Sequence, residues 1–158
     1  MGLKLDLGCG SYCRGDVGID IDFSWSNPYH RPHFYDKVAG SKNPYPDLVL
    51  ADANYPLPFR SNAFDEVVMI HVIEHLVRPY DCLREIYRVL KPGGKLILVT
   101  PNAQKSPADW RDEGHIISFT EPALKRLLSL VFDSVNVRVA EEQPFCGEDL
   151  HAVATKRR

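Results

Sequence analysis

The chain has 158 residues, of which 44% are hydrophobic and 25% charged, as in an ordinary soluble globular domain. A formal net charge of −2 excludes a global basic field that would attract nucleic acid or anionic membranes. The sequence has no signal peptide and no apolar run near the roughly 20 residues of a membrane span, which predicts a cytoplasmic location. The four cysteines, at positions 9, 13, 82 and 146, lack the paired spacing of a zinc site, so we expect reduced thiols and no metal.

The first stretch, residues 3–10, is an apolar run that contains one acid and ends in a glycine turn. Such a run is typical of a buried parallel strand, and ligands of open α/β sheets bind where these strands end. Asp6 lies one residue from the strand end, where it either orders the loop or meets a cationic group. A dinucleotide-binding G-x-G-x-x-G motif fits poorly, because Cys13 takes the third glycine position and the acids Asp20 and Asp22 follow too early.

A second strand is predicted at residues 17–22, after a segment that is long enough only for a turn. It ends in acid, and a carboxylate there suits the two hydroxyl groups of a ribose. Residues 23–47 contain four prolines and clustered aromatics, which favour an irregular excursion over a long helix. Its aromatic and histidine side chains either line a pocket for an acceptor or for adenosine, or form a satellite cluster. They are Trp25, Tyr29, His30, His33 and Tyr35.

Five more strands and two helices are predicted downstream. The strands are residues 48–51, 64–70, 95–100, 135–139 and 151–155, of which the last two alternate like a closing antiparallel pair. Apolar residues at helical spacing predict a helix from Arg78 to Leu90, which the following proline and glycines end. Thr120 is the predicted N-cap of a second helix that reaches about Val131.

Several segments resemble motifs of class I S-adenosylmethionine (SAM)-dependent methyltransferases of the type 11-like family. The resemblance covers residues 3–10, 17–22, 48–102 and 114–132. The most specific stretch is LREIYRVLKPGGKL at residues 83–96, whose importance is architectural. The other matching stretches are LDLGCG at 5–10, GIDI at 18–21, ADANYPLPF at 51–59, FDEVVMIHVIEHL at 64–76 and GHIISFTEPAL at 114–124.

The resemblance implies an α/β, Rossmann-like class I methyltransferase fold formed by residues 1–158 as a single domain. Its sheet would have seven mostly parallel strands, with an antiparallel strand near the C-terminus, the third strand at one edge and helices on both faces. The chain begins at its first strand, so the family's N-terminal helices that often cover the acceptor are expected to be absent.

The resemblance also implies SAM as cofactor, with S-adenosylhomocysteine as the product. Asp20 is favoured over Asp22 as the ribose acid. His71 and His115 are candidate general bases, since neutral imidazole is available near pH 7, although a structural role is open for His115. The implied cofactor-binding residues are Asp6, Gly8, Cys9 and Gly10 for the methionine portion, Asp20 for the ribose, Asp52 and Ala53 for the adenine, and also Ile21 and His71.

The predicted function is methyl transfer to a small-molecule acceptor, with O-methylation favoured by the loop that carries His115. Residues 70–73 lack the [ND]-P-P-[YF] tetrapeptide, which argues against the class that methylates amino groups of adenine, cytosine or glutamine. One alternative is methylation of tRNA or protein with an activating or recognition subunit, or a homodimer, at the sheet edge. Another is a non-catalytic SAM-binding subunit. We expect no membrane partner, and nucleic acid only through a partner.

Overall fold

The computed structural model describes residues 2–23, 36–105, 113–140 and 148–158. The strands are β1 (Lys4–Leu7), β2 (Val17–Asp20), β3 (Asp47–Leu50), β4 (Phe64–Ile70), β5 (Leu90–Pro101), β6 (Ser134–Val139) and β7 (Asp149–Thr155). The helices are α1 (Asp36–Ala39), α2 (Pro79–Val89) and α3 (Glu121–Ser129), and a 3₁₀ turn spans Ile73–His75. Within the described residues, no helix is both long and apolar enough to cross a membrane.

The seven strands form one sheet in the order β3-β2-β1-β4-β5-β7-β6. Strands β1 to β5 are parallel to one another, whereas β7 is antiparallel to both β5 and β6. This sheet confirms the predicted Rossmann-like fold, including the antiparallel pair at the C-terminal end. It also confirms that the third strand lies at an edge.

The alternation of side chains along the central strands separates two apolar layers. Val67 and Met69 of β4 belong to the larger core, which also includes Ile86 of α2 and Leu124 of α3. Val68 lies on the opposite face in a smaller cluster with Ala39 of α1 and Ile97 of β5. Full burial of such side chains contributes about 1.5–3 kcal/mol each, so both faces of the sheet are stabilised.

The largest differences from the sequence prediction are at β5 and in residues 23–47. Strand β5 begins at Leu90 rather than residue 95, because Leu90 pairs with Phe64 before a register shift in β4. Within the excursion at 23–47, residues 36–39 form the short helix α1. The five aromatic and histidine residues at 25–35 lie outside the described residues, so their predicted role stays a prediction.

Candidate cofactor and acceptor site

The predicted site residues lie together at the carboxyl ends of the parallel strands. Strands β3, β2, β1 and β4 are parallel neighbours, so their carboxyl ends lie side by side. The glycine loop follows β1, Asp20 ends β2, Asp52 follows β3 and His71 follows β4. Open α/β sheets bind their ligands at these carboxyl ends.

The glycine loop bends back over β2. Gly8 has φ +73° and Gly10 has φ +51°, left-handed conformations that glycine adopts without steric cost. The N–H groups of Gly8 and Cys9 donate to the carbonyl oxygen of Ile19 at 2.8 and 3.1 Å. The Gly10 N–H donates to Asp20 Oδ2 at 2.7 Å. With these three donors used, the loop offers carbonyl acceptors, which suit the ammonium group of a methionine portion.

Asp6 lies beneath this loop rather than on its surface. Its side chain is 1% exposed, and Oδ2 accepts a hydrogen bond from the Arg14 N–H at 2.6 Å. Burial raises the pKa of this carboxyl to about 6, although the hydrogen bond and the charge of Arg14 oppose the rise. The hydrogen bond from Arg14 shows that Asp6 orders the loop, and its predicted contact with the methionine portion stays a prediction.

Asp20 joins the end of β2 to both neighbouring loops. Besides the bond from Gly10, its Oδ1 accepts from the Asp22 N–H at 3.1 Å. A carboxylate has about four acceptor positions, so acceptor capacity remains for the two hydroxyls of a ribose. The adjacent Ile21 side chain is 69% exposed, an apolar surface at the point where a nucleoside would lie.

The loop after β3 is held by a residue that the sequence analysis did not single out. Asn54 donates to Asp52 Oδ1 from its backbone N at 2.8 Å and from its Nδ2 at 3.0 Å. Its own Oδ1 accepts from the Val77 N–H at 2.9 Å. Asn54 thus orients the predicted adenine acid, and only its place two residues after that acid hinted at this role. Ala53 is buried, so a contact with adenine would come from its backbone.

His71 is clamped between two buried carboxylates. Its Nδ1 lies 3.1 Å from Glu74 Oε1 and its Nε2 lies 3.4 Å from Asp149 Oδ2. Burial alone would lower the pKa of His71, but the hydrogen bonds to Asp149 and Glu74 outweigh it and raise the pKa to about 10. The raised pKa favours the imidazolium form near pH 7, and an imidazolium has no lone pair with which to accept a proton, so it argues against His71 as the general base.

Two further features mark the His71 position. Its φ of +51° is rare for a residue with a side chain, and such strain concentrates at functional sites. Thr100 Oγ1 donates to Glu74 Oε2 at 3.0 Å and completes the surroundings of that acid. Glu74 belongs to the E-H pair of the matched motif, whereas no sequence signal connects Asp149 to His71.

His115 lies against His75, which follows His71 by one helical turn. The two imidazole rings are 4.7 Å apart between centroids at an angle of 73°. His75 Nδ1 lies 2.8 Å from the carbonyl oxygen of Gly114. The structure therefore brings His115 to the same end of β4 as His71, although its predicted acceptor-side role stays a prediction.

Comparison with known proteins places this geometry in a family. The methyltransferase domain family matches residues 17–98, just over half of the chain. The probable 18S rRNA (guanine-N(7))-methyltransferase of Dictyostelium discoideum is 32% identical over 107 residues, which are 61% of this chain and 37% of that protein. A ubiquinone/menaquinone biosynthesis C-methyltransferase of Ruegeria is 45% identical over 53 residues, 34% of this chain and 21% of that protein. The chain thus matches well under two thirds of the length of these relatives.

A solved structure shares the fold across nearly the whole chain. It is the 1,6-didemethyltoxoflavin-N1-methyltransferase of Burkholderia thailandensis, crystallised with its acceptor and S-adenosylhomocysteine. The TM-score is 0.67 at 16% identity, and the match covers 99% of this chain and 72% of the other. The chain therefore belongs to the methyltransferase domain family and has the fold of a class I SAM-dependent methyltransferase.

Proposed function

We propose that this chain transfers the methyl group of SAM to a hydroxyl oxygen of a small-molecule acceptor. The observation that carries the proposal is the hydrogen bond between Asp20 and Gly10, which joins a ribose-type acid to a left-handed glycine loop. This arrangement would suit SAM, because the carboxylate of Asp20 can accept from the ribose hydroxyls and carbonyl oxygens of the loop can accept from the ammonium group. Asp52 adds an acceptor at the next strand end, where the amino group of adenine would donate.

Bound SAM supplies an electrophilic methyl group, so the cofactor carries the difficult part of the chemistry. The residues of the chain must hold the acceptor oxygen in line with that methyl group. As the oxygen–carbon bond forms and the sulfur–carbon bond breaks, the hydroxyl proton must leave. The raised pKa of His71 favours its protonated form near pH 7, so we assign it to positioning, and His115 remains the candidate base.

Two observations support a small molecule. The Ruegeria relative is named for a step of ubiquinone/menaquinone biosynthesis, although it is a C-methyltransferase. The described residues at this end of the sheet include His71, His75 and His115, and imidazole suits removal of a hydroxyl proton. The choice of oxygen rests on His115 alone.

The test combines binding with transfer. Calorimetry should show association with S-adenosylhomocysteine, and the protein should then transfer a radiolabelled methyl group from SAM to members of a panel of phenols. Product analysis by mass spectrometry would distinguish a methyl ether from a ring-methylated product. A ring-methylated product would contradict O-methylation, and absence of S-adenosylhomocysteine binding would contradict the whole proposal.

A second candidate is methylation of RNA or protein with a partner subunit. The edge strand β3 exposes Leu48 by 52% and Leu50 by 70%, and an exposed edge can pair with another chain. The Dictyostelium relative is named as an rRNA methyltransferase. Transfer to cellular RNA or protein only in the presence of added extract would favour this candidate. Binding of S-adenosylhomocysteine with no transfer in any assay would favour a non-catalytic subunit.

A further inference from the structure

We propose that Glu74, His75 and His115 form a binding site for a divalent transition-metal ion such as Zn²⁺. One carboxylate oxygen of Glu74 and one nitrogen from each imidazole lie within 4.8 Å of one another. Two imidazoles and one carboxylate are a common ligand set for such ions, and they leave a coordination position for a water or for a substrate oxygen. The spacing of the cysteines predicted no metal, but that spacing gives no information on these three side chains.

The tautomer of His75 supports this site. Its Nδ1 lies 2.8 Å from the Gly114 carbonyl oxygen, and a carbonyl only accepts, so the proton must be on Nδ1. In the neutral ring, the lone pair is then on Nε2. Histidines that bind metals generally donate their other N–H to a carbonyl or carboxylate in this way, which fixes the ring.

The backbone around His115 is tied to the same turn. The Glu74 carbonyl oxygen accepts from the N–H groups of Ile116 and Ile117 at 2.8 and 3.1 Å. On the other side of His115, Gly114 accepts from His75. The loop is therefore held on both sides of His115 by the two residues that supply the other ligands, so the site is largely formed before an ion binds.

Two neighbouring side chains also hold the Glu74 carboxylate in place. Thr100 Oγ1 donates to its Oε2 at 3.0 Å, and His71 Nδ1 lies 3.1 Å from its Oε1. Carboxylates that bind metals are usually hydrogen-bonded in this way. Ligand atoms around one tetrahedral zinc are about 3.4 Å apart, given zinc–ligand distances of about 2.0–2.2 Å. The three ligand atoms lie within 4.8 Å of one another, so closure around an ion needs them to approach by up to about 1.4 Å.

This site lies at the carboxyl end of β4, beside the strand ends proposed to bind SAM. Only its connection to an acceptor oxygen rests on the proposed function, since the ligand set is independent of SAM. The competing explanation is that these side chains only hold the loop at 114–117 against the 3₁₀ turn. That explanation requires no ion.

The test measures zinc uptake by tag-free protein after removal of metals with a chelator. Calorimetry should give one strong zinc equivalent in the wild-type chain, and His75→Ala and His115→Ala should each lower the affinity at least tenfold. Co²⁺ in the same site should give an absorption spectrum without thiolate charge-transfer bands, because the ligands are nitrogen and oxygen. Glu121→Gln at the start of α3 is the control that removes a carboxylate elsewhere, and it should leave zinc uptake unchanged.

Thermal unfolding separates this inference from the proposed function. Zinc should raise the melting temperature of the wild-type chain and not of either histidine variant, whereas S-adenosylhomocysteine should raise it in all three. Equal zinc uptake by the wild-type chain and both variants, or none by the wild-type chain, would overturn the metal site. Neither result would affect SAM binding, and a loss of S-adenosylhomocysteine binding by the wild-type chain would overturn the proposed function alone.

Discussion

The Oδ2 atom of Asp20 lies 2.7 Å from the backbone N of Gly10, so the acid that ends β2 and the glycine loop after β1 form one hydrogen-bonded unit. The unit is therefore preorganised for a ligand that spans both strand ends, which reduces the ordering that binding must drive.

Replacing Asp20 by Ala should weaken S-adenosylhomocysteine binding roughly 10- to 100-fold. Hydrogen bonds to charged groups contribute about 1.5–3 kcal/mol, and this change also releases the Gly10 N–H. Isothermal titration calorimetry measures the affinity. Asp22→Ala is the matched control, because Asp20 accepts from the backbone of Asp22, and its affinity should stay within about threefold of wild type. Equal effects of the two variants would contradict the assignment of Asp20.

Gly8→Ala should destabilise the fold by about 1–3 kcal/mol. A Cβ on Gly8 would clash with Cγ2 of Val72, and the φ of +73° is unfavourable for alanine. Urea denaturation measures the free energy of unfolding. In a Val72→Ala background the steric part should disappear, which leaves the backbone part of roughly 1 kcal/mol. A Gly8→Ala protein as stable as the wild type would show that the loop relaxes.

The clamp on His71 should make stability depend on pH in the alkaline range. A histidine whose pKa is raised on folding contributes stability that is complete below its unfolded value of 6.5 and is lost as the pH rises to about 10. The free energy of unfolding should therefore fall between pH 6.5 and 10. The difference between the wild-type chain and His71→Gln at each pH isolates this contribution from other titrating groups.

At pH 7, His71→Ala should destabilise the fold by about 3–5 kcal/mol, because it leaves two buried carboxylates without their cation. His75→Ala, which removes an exposed ring one turn away, should cost less than about 1 kcal/mol. Chemical denaturation of both variants checks this difference. If His71→Ala is as stable as His75→Ala, the ion-pair clamp is not formed in solution.

His151, unlike His71, should make the free energy of unfolding fall at acid pH. It is buried on β7, and neither of its ring nitrogens meets a hydrogen-bond partner among the described residues. Burial lowers the pKa of His151, although Asp149 opposes the shift. A histidine whose pKa is lowered on folding contributes stability above its unfolded value of 6.5, and that stability is lost as the pH falls below it.

His151→Leu should therefore stabilise the protein by about 1 kcal/mol at neutral pH, since it removes a buried polar group. It should also reduce the loss of stability between pH 7 and 5. Thermal unfolding across this range, compared with the wild-type chain, measures both effects. An unchanged acid dependence would mean that His151 is hydrogen-bonded in solution.

Local patterns in the sequence predict most of the sheet and the strand ends that carry the candidate site residues. Short apolar runs that end in glycine or acid, such as the one that contains Asp6, predicted the parallel strands, because burial on both faces leaves a local signal. The carboxyl ends of parallel strands lie side by side, so the motifs predict that Asp20 and Asp52 lie at neighbouring strand ends. Boundaries such as the start of β5 were less accurate, since pairing with β4 extends that strand through a proline and two glycines.

The electrostatics of the site depend on contacts between residues that are far apart in the chain. The sequence suggests His71 as a neutral base, but Glu74 and Asp149 of β7 raise its pKa, and no local pattern connects Asp149 to His71. Likewise, the backbone bonds of the 3₁₀ turn bring His115 against His75. Periodicity reports the burial of a segment from its own residues, whereas a pKa or a ligand set depends on which distant side chains surround a group once the chain has folded.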